Sequence, residues 1–203
     1  AEYVGTPEDA ADLVEYLNAP VGANPNVGQD WAAVRAADGH PEPWKVLLFE
    51  FGNESDHGDH HGRKFGPEEY ARRYLATRTA MRQVDSRVQL GLVAENSAAT
   101  TVDTIPGWTK DALWVCGKEV DFVITHPYLP RYESDTDPIE LAPTLLAAGL
   151  AAAGQWDEHF RALREAVRQG TGRDDLPLAL TEYNGAFVQQ RPIPYRHCLG
   201  NAL

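Results

Sequence analysis

Leu47-Leu48-Phe49-Glu50-Phe51-Gly52-Asn53-Glu54 is a short apolar run that stops on a glycine, an amide and a carboxylate. Leu178-Ala179-Leu180-Thr181-Glu182-Tyr183-Asn184 repeats that pattern late in the chain. A run of four to eight residues that is largely apolar on both faces reads as a strand of a parallel sheet covered by helices. Gly52 permits the sharp turn that would present Asn53 and Glu54 at the mouth of such a sheet. In α/β barrels the reactive groups come from the carboxyl ends of several strands, so acids at two such ends can face one opening.

Outward from these two strings the chain alternates. Ala10, Leu13, Val14 and Leu17 recur at helical spacing from Pro7 to about Asn18, with Thr6 as N-cap, Pro7 at the first helical position and acids in the first turn. A Gly/Pro/Asn-rich connection leads to a short helix around Trp31 to Ala37, and Pro41 and Pro43 bring the chain to the first strand, about Lys45 to Phe51. A polar loop from Gly52 to Gly66 precedes a helix from Pro67 to about Val84, with Tyr70, Tyr74 and Met81 on one stripe. Val88 to Val93 reads as the second strand, Trp108 to Gly117 as a helix, and Val120 to Thr125 as the third strand, closing on His126-Pro127-Tyr128. After a loop rich in Asp and Pro, Pro138 to Arg168 forms one long or two shorter helices, Pro177 to Thr181 the fourth strand, and Pro194 to Leu203 the start of another helix. This alternation predicts an α/β fold with a parallel sheet and right-handed crossovers. It closes either as a doubly wound domain or as part of a (β/α)8 barrel, and the first helix without a preceding strand favours a barrel arc cut from a longer chain.

Composition narrows the partners. At 43% hydrophobic residues the 203-residue chain can build a core as one domain spanning 1–203. A formal charge of −12 with no basic stripe argues against nucleic acid and anionic membrane. No run reaches the ~18 apolar residues of a membrane span, and the first residues lack the basic start and apolar stretch of a signal peptide. The compartment, cytoplasmic or secreted, stays open, as does oligomeric state, a homo-oligomer included. Cys116 and Cys198, both in segments that read as helical, imply two buried thiols rather than a disulfide framework. His57-Gly58-Asp59-His60-His61 offers metal-ligand side chains, but no strand or helix holds their spacing, so it reads as a polar loop at the rim of a cleft. Trp108 has equal claims as a core residue and as a stacking surface, and Asn96 in the same loop is a rim candidate. Trp114 and Trp156 are expected to pack against the sheet, and Glu68, Glu69, Glu158 and Glu165 to lie on solvated helix faces.

The strings Phe49 to Glu54, Thr125 to Tyr128 and Leu180 to Asn184 resemble the ends of the fourth, sixth and seventh strands of clan A retaining glycoside hydrolases. They are most similar to those of the family 51 α-L-arabinofuranosidases. Gly5 to Asn18 is similar to the helix after that family's third strand, and Trp31 to Trp44 to its approach to strand four. The resemblance implies a central fragment of a (β/α)8 TIM barrel, from the helix after strand three through the helix after strand seven. The first two strands, the eighth strand and an accessory β-sandwich are not in this sequence, and a chain without them is expected to be inactive alone. Phe-Glu-Phe before Gly52 also departs from a commoner Trp-Glu-Ile pattern, which keeps xylosidase- and endoglucanase-type clan members open.

Carried over by position, the resemblance makes Glu54 the general acid/base and Glu182 the nucleophile of a double displacement on an arabinose-containing glycan. Asn53 would hold the sugar 2-hydroxyl, His126 would sit beside Glu54, and Tyr128 would orient Glu182. No cofactor and no metal are called for. The chemistry needs one carboxyl protonated to help the leaving group depart and the other ionised to attack. Two rivals remain: a non-catalytic carbohydrate-binding relative or inactive fragment, and a metal-dependent hydrolase using the His57 to His61 loop.

Overall fold

A computed structural model of the chain describes residues 5–57, 66–94, 107–133 and 138–188. Helix α1 (Pro7–Asn18) opens on a reciprocal cap, in which the Asp9 N–H donates to Thr6 Oγ1 at 3.1 Å and the Thr6 N–H to Asp9 Oδ2 at 2.7 Å. Helix α2 (Trp31–Ala37) is followed by strand β1 (Leu48–Phe51), helix α3 (Pro67–Val84), strand β2 (Gln89–Val93), helix α4 (Trp108–Cys116) and strand β3 (Phe122–Thr125). A further strand, β4 (Tyr128–Glu133), precedes the single 34-residue helix α5 (Pro138–Thr171), and strands β5 (Leu178–Leu180) and β6 (Asn184–Val188) complete the described chain.

The main sheet runs β1-β2-β3-β5 with every pairing parallel, so each successive unit adds a strand on the same side. A doubly wound sheet reverses its strand order at a switch point, and the described strands show no reversal. β2 and β3 are the inner strands and carry the core: Leu90, Leu92, Val93, Val123 and Ile124 are all buried. Helix α3 lays Tyr70, Tyr74 and Met81 on this layer, and both tyrosine hydroxyls turn back to the sheet. Tyr70 Oη donates to the Phe51 carbonyl at 2.8 Å and accepts from the Val93 N–H at 2.9 Å, tying the carboxyl ends of β1 and β2 together. At the opposite end, Asp121 receives Arg78 through two nitrogens at 2.8 and 2.9 Å and the Leu90 N–H at 2.9 Å, clamping α3 to the amino ends of β2 and β3.

Several expectations need correction. Leu13 is 48% exposed, because α1 buries the stripe Ala10, Ala11, Val14, Glu15 and Asn18 instead. The polar members of that stripe have structural partners: Glu15 accepts from the Asn26 and Trp31 N–H groups, and the Asn18 amide brackets the Val46 backbone. β1 is not buried on both faces, since it lies at an edge of the described sheet and leaves Leu48 64% exposed. Trp114 does not pack against the sheet: Trp108, Ala112 and Cys116 occupy the inward stripe of α4, and Trp114 on the outer face is 75% exposed. Trp108 is core, fully buried against Tyr70 with ring centroids 4.6 Å apart. Trp156 packs edge-on to Tyr183 and beside Phe160. Cys116 is a buried free thiol whose pKa burial pushes up to about 12. Cys198, Asn96, His60, His61 and the segment from Pro194 to Leu203 lie outside the described residues.

Gly91 is required by packing rather than by a turn. A Cβ there would stand 2.3 Å from Phe122 Cε2 and 2.6 Å from Ile124 Cδ1. Gly91→Ala is expected to lower unfolding stability by about 1–3 kcal/mol, read as a reduced urea midpoint at unchanged slope.

Candidate active site

The carboxyl ends of β1, β3 and β5 converge. After Phe51, Gly52 turns the chain at φ 89° and Glu54 sits at φ 49°, in the left-handed region that non-glycine residues rarely occupy. Such a conformation costs about 1–3 kcal/mol and persists where the surroundings over-determine it. Here the surroundings are His126 and His57: Glu54 Oε1 lies 3.3 Å from His126 Nδ1, and Glu54 Oε2 lies 3.6 Å from His57 Nδ1. His57 in turn approaches the buried Asp56 at 3.4 Å. Asn53, beside Glu54, is exposed at the mouth.

From β5 comes Glu182. Tyr128 Oη donates to its Oε2 at 2.6 Å, and its Oε1 lies 3.7 Å from His126 Nδ1. One oxygen of Glu54, one of Glu182 and a His126 nitrogen all lie within 4.8 Å of one another. His126 itself is 5% exposed, whereas the two carboxylates open partly to solvent, so the cleft has a buried imidazole as its floor and two accessible acids as its walls.

Tyr128 reaches Glu182 through pairing that periodicity did not announce. The segment expected to be a loop after the third strand contains β4, which runs parallel to β6 with Tyr128 opposite Asn184. That second small sheet sets the phenol alongside the Glu182 segment.

The charges are coupled. The His126 hydrogen bond holds the Glu54 carboxyl below the usual carboxylate range, against a desolvation that pushes it up, and His57 adds to the lowering. For His126, burial opposes the imidazolium, but the Glu54 hydrogen bond and the charges of Glu182, Glu54 and Glu50 outweigh it, so its pKa is raised. Both shifts run the same way, each favouring the charged form of its group.

Two neighbours of this network were not singled out from sequence. Thr181 Oγ1 lies 2.9 Å from His126 Nε2. Thr125 Oγ1 lies 2.8 Å from Nε2 of the buried His159 on α5, whose pKa burial lowers, which anchors the end of β3 to the helix behind it. Thr181 stands directly before Glu182, but its partner is 55 positions away, and only the pairing of β3 with β5 joins them. The Glu54, His126 and Glu182 side chains are also donor types that a divalent ion could use. His126 Nδ1, however, is turned to two carboxylate oxygens and Nε2 to a hydroxyl, the surroundings of a proton carrier rather than of a bare lone pair.

Known proteins share this arrangement of strands. Over 129 residues the chain is 33% identical to an intracellular exo-α-(1→5)-L-arabinofuranosidase of Streptomyces lividans, covering 64% of this chain and 18% of that protein. It is 34% identical over 120 residues to a protein of the same description from Bifidobacterium longum, covering 59% and 19%. A solved family 51 α-L-arabinofuranosidase from Bifidobacterium longum superposes with a TM-score of 0.69 at 22% identity, over 90% of this chain and 34% of that one. The chain thus spans less than a fifth of the curated relatives and about a third of the solved structure. The model of the α-L-arabinofuranosidase 1 domain matches residues 2–134, a stretch that holds β1 to β3 and both Glu54 and His126. With well over half of its 203 residues inside that model, the chain belongs to the α-L-arabinofuranosidase 1 domain family.

Proposed function

We propose that this chain supplies the catalytic centre of a retaining glycoside hydrolase that removes terminal α-L-arabinofuranosyl residues from plant polysaccharides or oligosaccharides, its strands forming an arc of a (β/α)8 barrel. The observation that carries the reading is the approach of the Glu54 and Glu182 carboxylates to within 4.8 Å, each with its own polar partner. Retaining glycosidases hold their two carboxyl groups about 5–5.5 Å apart, whereas inverting ones leave roughly 6.5–9.5 Å for a water molecule. Curated relatives named exo-α-(1→5)-L-arabinofuranosidases support the choice of sugar.

Glu182 attacks the anomeric carbon while Glu54 delivers a proton to the departing glycosidic oxygen. The Tyr128 hydroxyl holds the Glu182 carboxylate in line and spreads its charge. Sugar entering the cleft displaces water from the carboxylates, and a proton crosses from His126 Nδ1 to Glu54 Oε1 along their 3.3 Å contact. That step neutralises the imidazolium and the carboxylate together, so the summed charge of the pair is unchanged. In the second half-reaction Glu54, now ionised, takes a proton from water as the water oxygen attacks the anomeric carbon and releases Glu182. Asn53 meets the sugar 2-hydroxyl, a contact that strengthens as positive charge develops on the ring.

The full-length protein tests this with 4-nitrophenyl α-L-arabinofuranoside. Glu182→Gln is expected to lower kcat by about 10⁴-fold or more. Glu54→Gln should lower it by about 10²–10⁴-fold, with partial rescue by azide giving an arabinosyl azide of retained configuration. Inverted first product, or full activity in either variant, overturns the proposal; cleavage only of xylosides or cello-oligosaccharides overturns the sugar and leaves the double displacement standing. Tyr128→Phe should reduce kcat by about ten- to a hundredfold, the scale of one charge-assisted hydrogen bond of ~1.5–3 kcal/mol.

The pH profile carries a sign. Activity needs one proton on the His126–Glu54 pair, and that proton is lost as pH rises through the raised His126 pKa. The basic limb of kcat/KM is therefore expected above the ordinary imidazole value of ~6.5. In His126→Asn only the Glu54 carboxyl can hold the proton, and the limb should move down toward the ordinary carboxylate value of ~4.3.

A further inference from the structure

We infer that His57 is a positioning residue for the acid/base: it holds the outward oxygen of Glu54, Oε2, so that Oε1, the oxygen on the Glu182 side, is the one that gives and takes the proton. This rests on the double-displacement reading of the same site.

A carboxyl group has two equivalent oxygens and a soft terminal torsion, so nothing in the group itself says which oxygen reacts. The neighbours of Glu54 tell them apart. Oε1 lies 3.3 Å from His126 Nδ1, and the same nitrogen lies 3.7 Å from Glu182 Oε1. Oε1 is therefore the Glu54 oxygen turned to the nucleophile, across the space that an anomeric carbon and its leaving oxygen would occupy. Oε2 is met instead by His57 Nδ1, at 3.6 Å.

His57 is tied to that place by its own turn. Its N–H donates to the Glu54 carbonyl at 2.9 Å, closing a four-residue turn that begins at Glu54 in its left-handed conformation. Its Nε2 lies 3.4 Å from Oδ2 of Asp56, a residue 2% exposed. Carboxylate oxygens thus face both ring nitrogens, the setting in which both carry hydrogen. At 3.6 Å the contact with Oε2 is longer than a hydrogen bond and aligns the carboxyl through charge and dipole. Oε2 keeps lone pairs toward His57 whether Glu54 is ionised or protonated on Oε1, so one arrangement serves both half-reactions. Without His57 the proton is shared between an oxygen that faces the leaving group and one that does not.

The test compares two leaving groups on the full-length protein: phenoxide, which needs a proton to depart, and 2,4-dinitrophenoxide, which does not. His57→Ala is expected to lower kcat/KM for phenyl α-L-arabinofuranoside by about ten- to a hundredfold, through misplacement of the acid rather than its loss. The value for the dinitrophenyl glycoside should stay within about twofold, which also reports that the variant is folded. His57→Asn carries an amide nitrogen where Nδ1 stood and should recover part of the phenyl rate. His57→Gln, whose amide reaches the Nε2 position instead, should fall with alanine. Equal losses on the two glycosides, as a merely structural role would give, overturn the inference. So does a phenyl rate untouched by alanine, or an asparagine variant no better than glutamine. A parent that hydrolyses neither glycoside overturns the reading on which the role of His57 rests, whereas an active parent whose variants show no such discrimination overturns the role of His57 alone.

Discussion

The parallel ladder that pairs Phe51 with Leu92, Val93 with Ile124 and Thr125 with Leu180 is the constraint on which the site rests. Because these strands run the same way and stay in register, their carboxyl ends finish at one level, and the residue after each end inherits that level. Glu54, His126 and Glu182 then meet without any of them being near another in sequence. A one-residue slip of β5 against β3 would turn each of its side chains to the other face, separating Thr181 from His126 and Glu182 from Tyr128. The interior apolar packing that sets this register, Leu90, Leu92, Val123 and Ile124 among it, is thus as much a determinant of the site as the polar groups are.

The two ends of the sheet are built from different chemistry. At the amino ends, Arg78 and Asp121 form a closed polar junction with the Leu90 N–H, and Tyr74 Oη donates to the Leu90 carbonyl at 2.7 Å. Such satisfied groups stabilise and have no capacity left for a ligand. At the carboxyl ends, acids remain partly open to solvent, an imidazole is buried between them, and one acid stands at a strained backbone position. Closed polar junctions thus lie at one end and solvent-open acids at the other, a division that α/β barrels also show.

How far the residues could be read depended on how local the deciding physics was. The cap at Thr6 and Asp9, the helix at Pro67–Val84 and the stripe of Tyr70, Tyr74 and Met81 follow from contacts within a turn or two, and they were legible. Leu13 and Trp114 were misassigned because a helix with apolar residues on two sides does not say which side meets the sheet; Glu15, Asn18 and the inward stripe of α4 settled it. Leu48 was misassigned because an apolar run does not say whether its strand is inner or edge. Trp108, open between core and ligand, went to the core because Tyr70 lies against it.

The linear order of residues was enough to determine the alternation of strands and helices, the turn at Gly52 and the identities of Glu54, Asn53, His126, Tyr128 and Glu182 as the polar groups at strand ends. These follow from hydrophobic periodicity and the special backbone freedom of glycine, which act over a few residues. Tertiary structure alone decided that His126 lies between two carboxylates, that Thr181 backs its far nitrogen, that the β4–β6 pair carries Tyr128 to Glu182, and that the Glu54 carboxyl is shifted down while the His126 imidazole is shifted up. The reason is that such contacts and shifts depend on distances between groups 54 to 72 positions apart and on how much water they have lost, and both are set only when the strands pair.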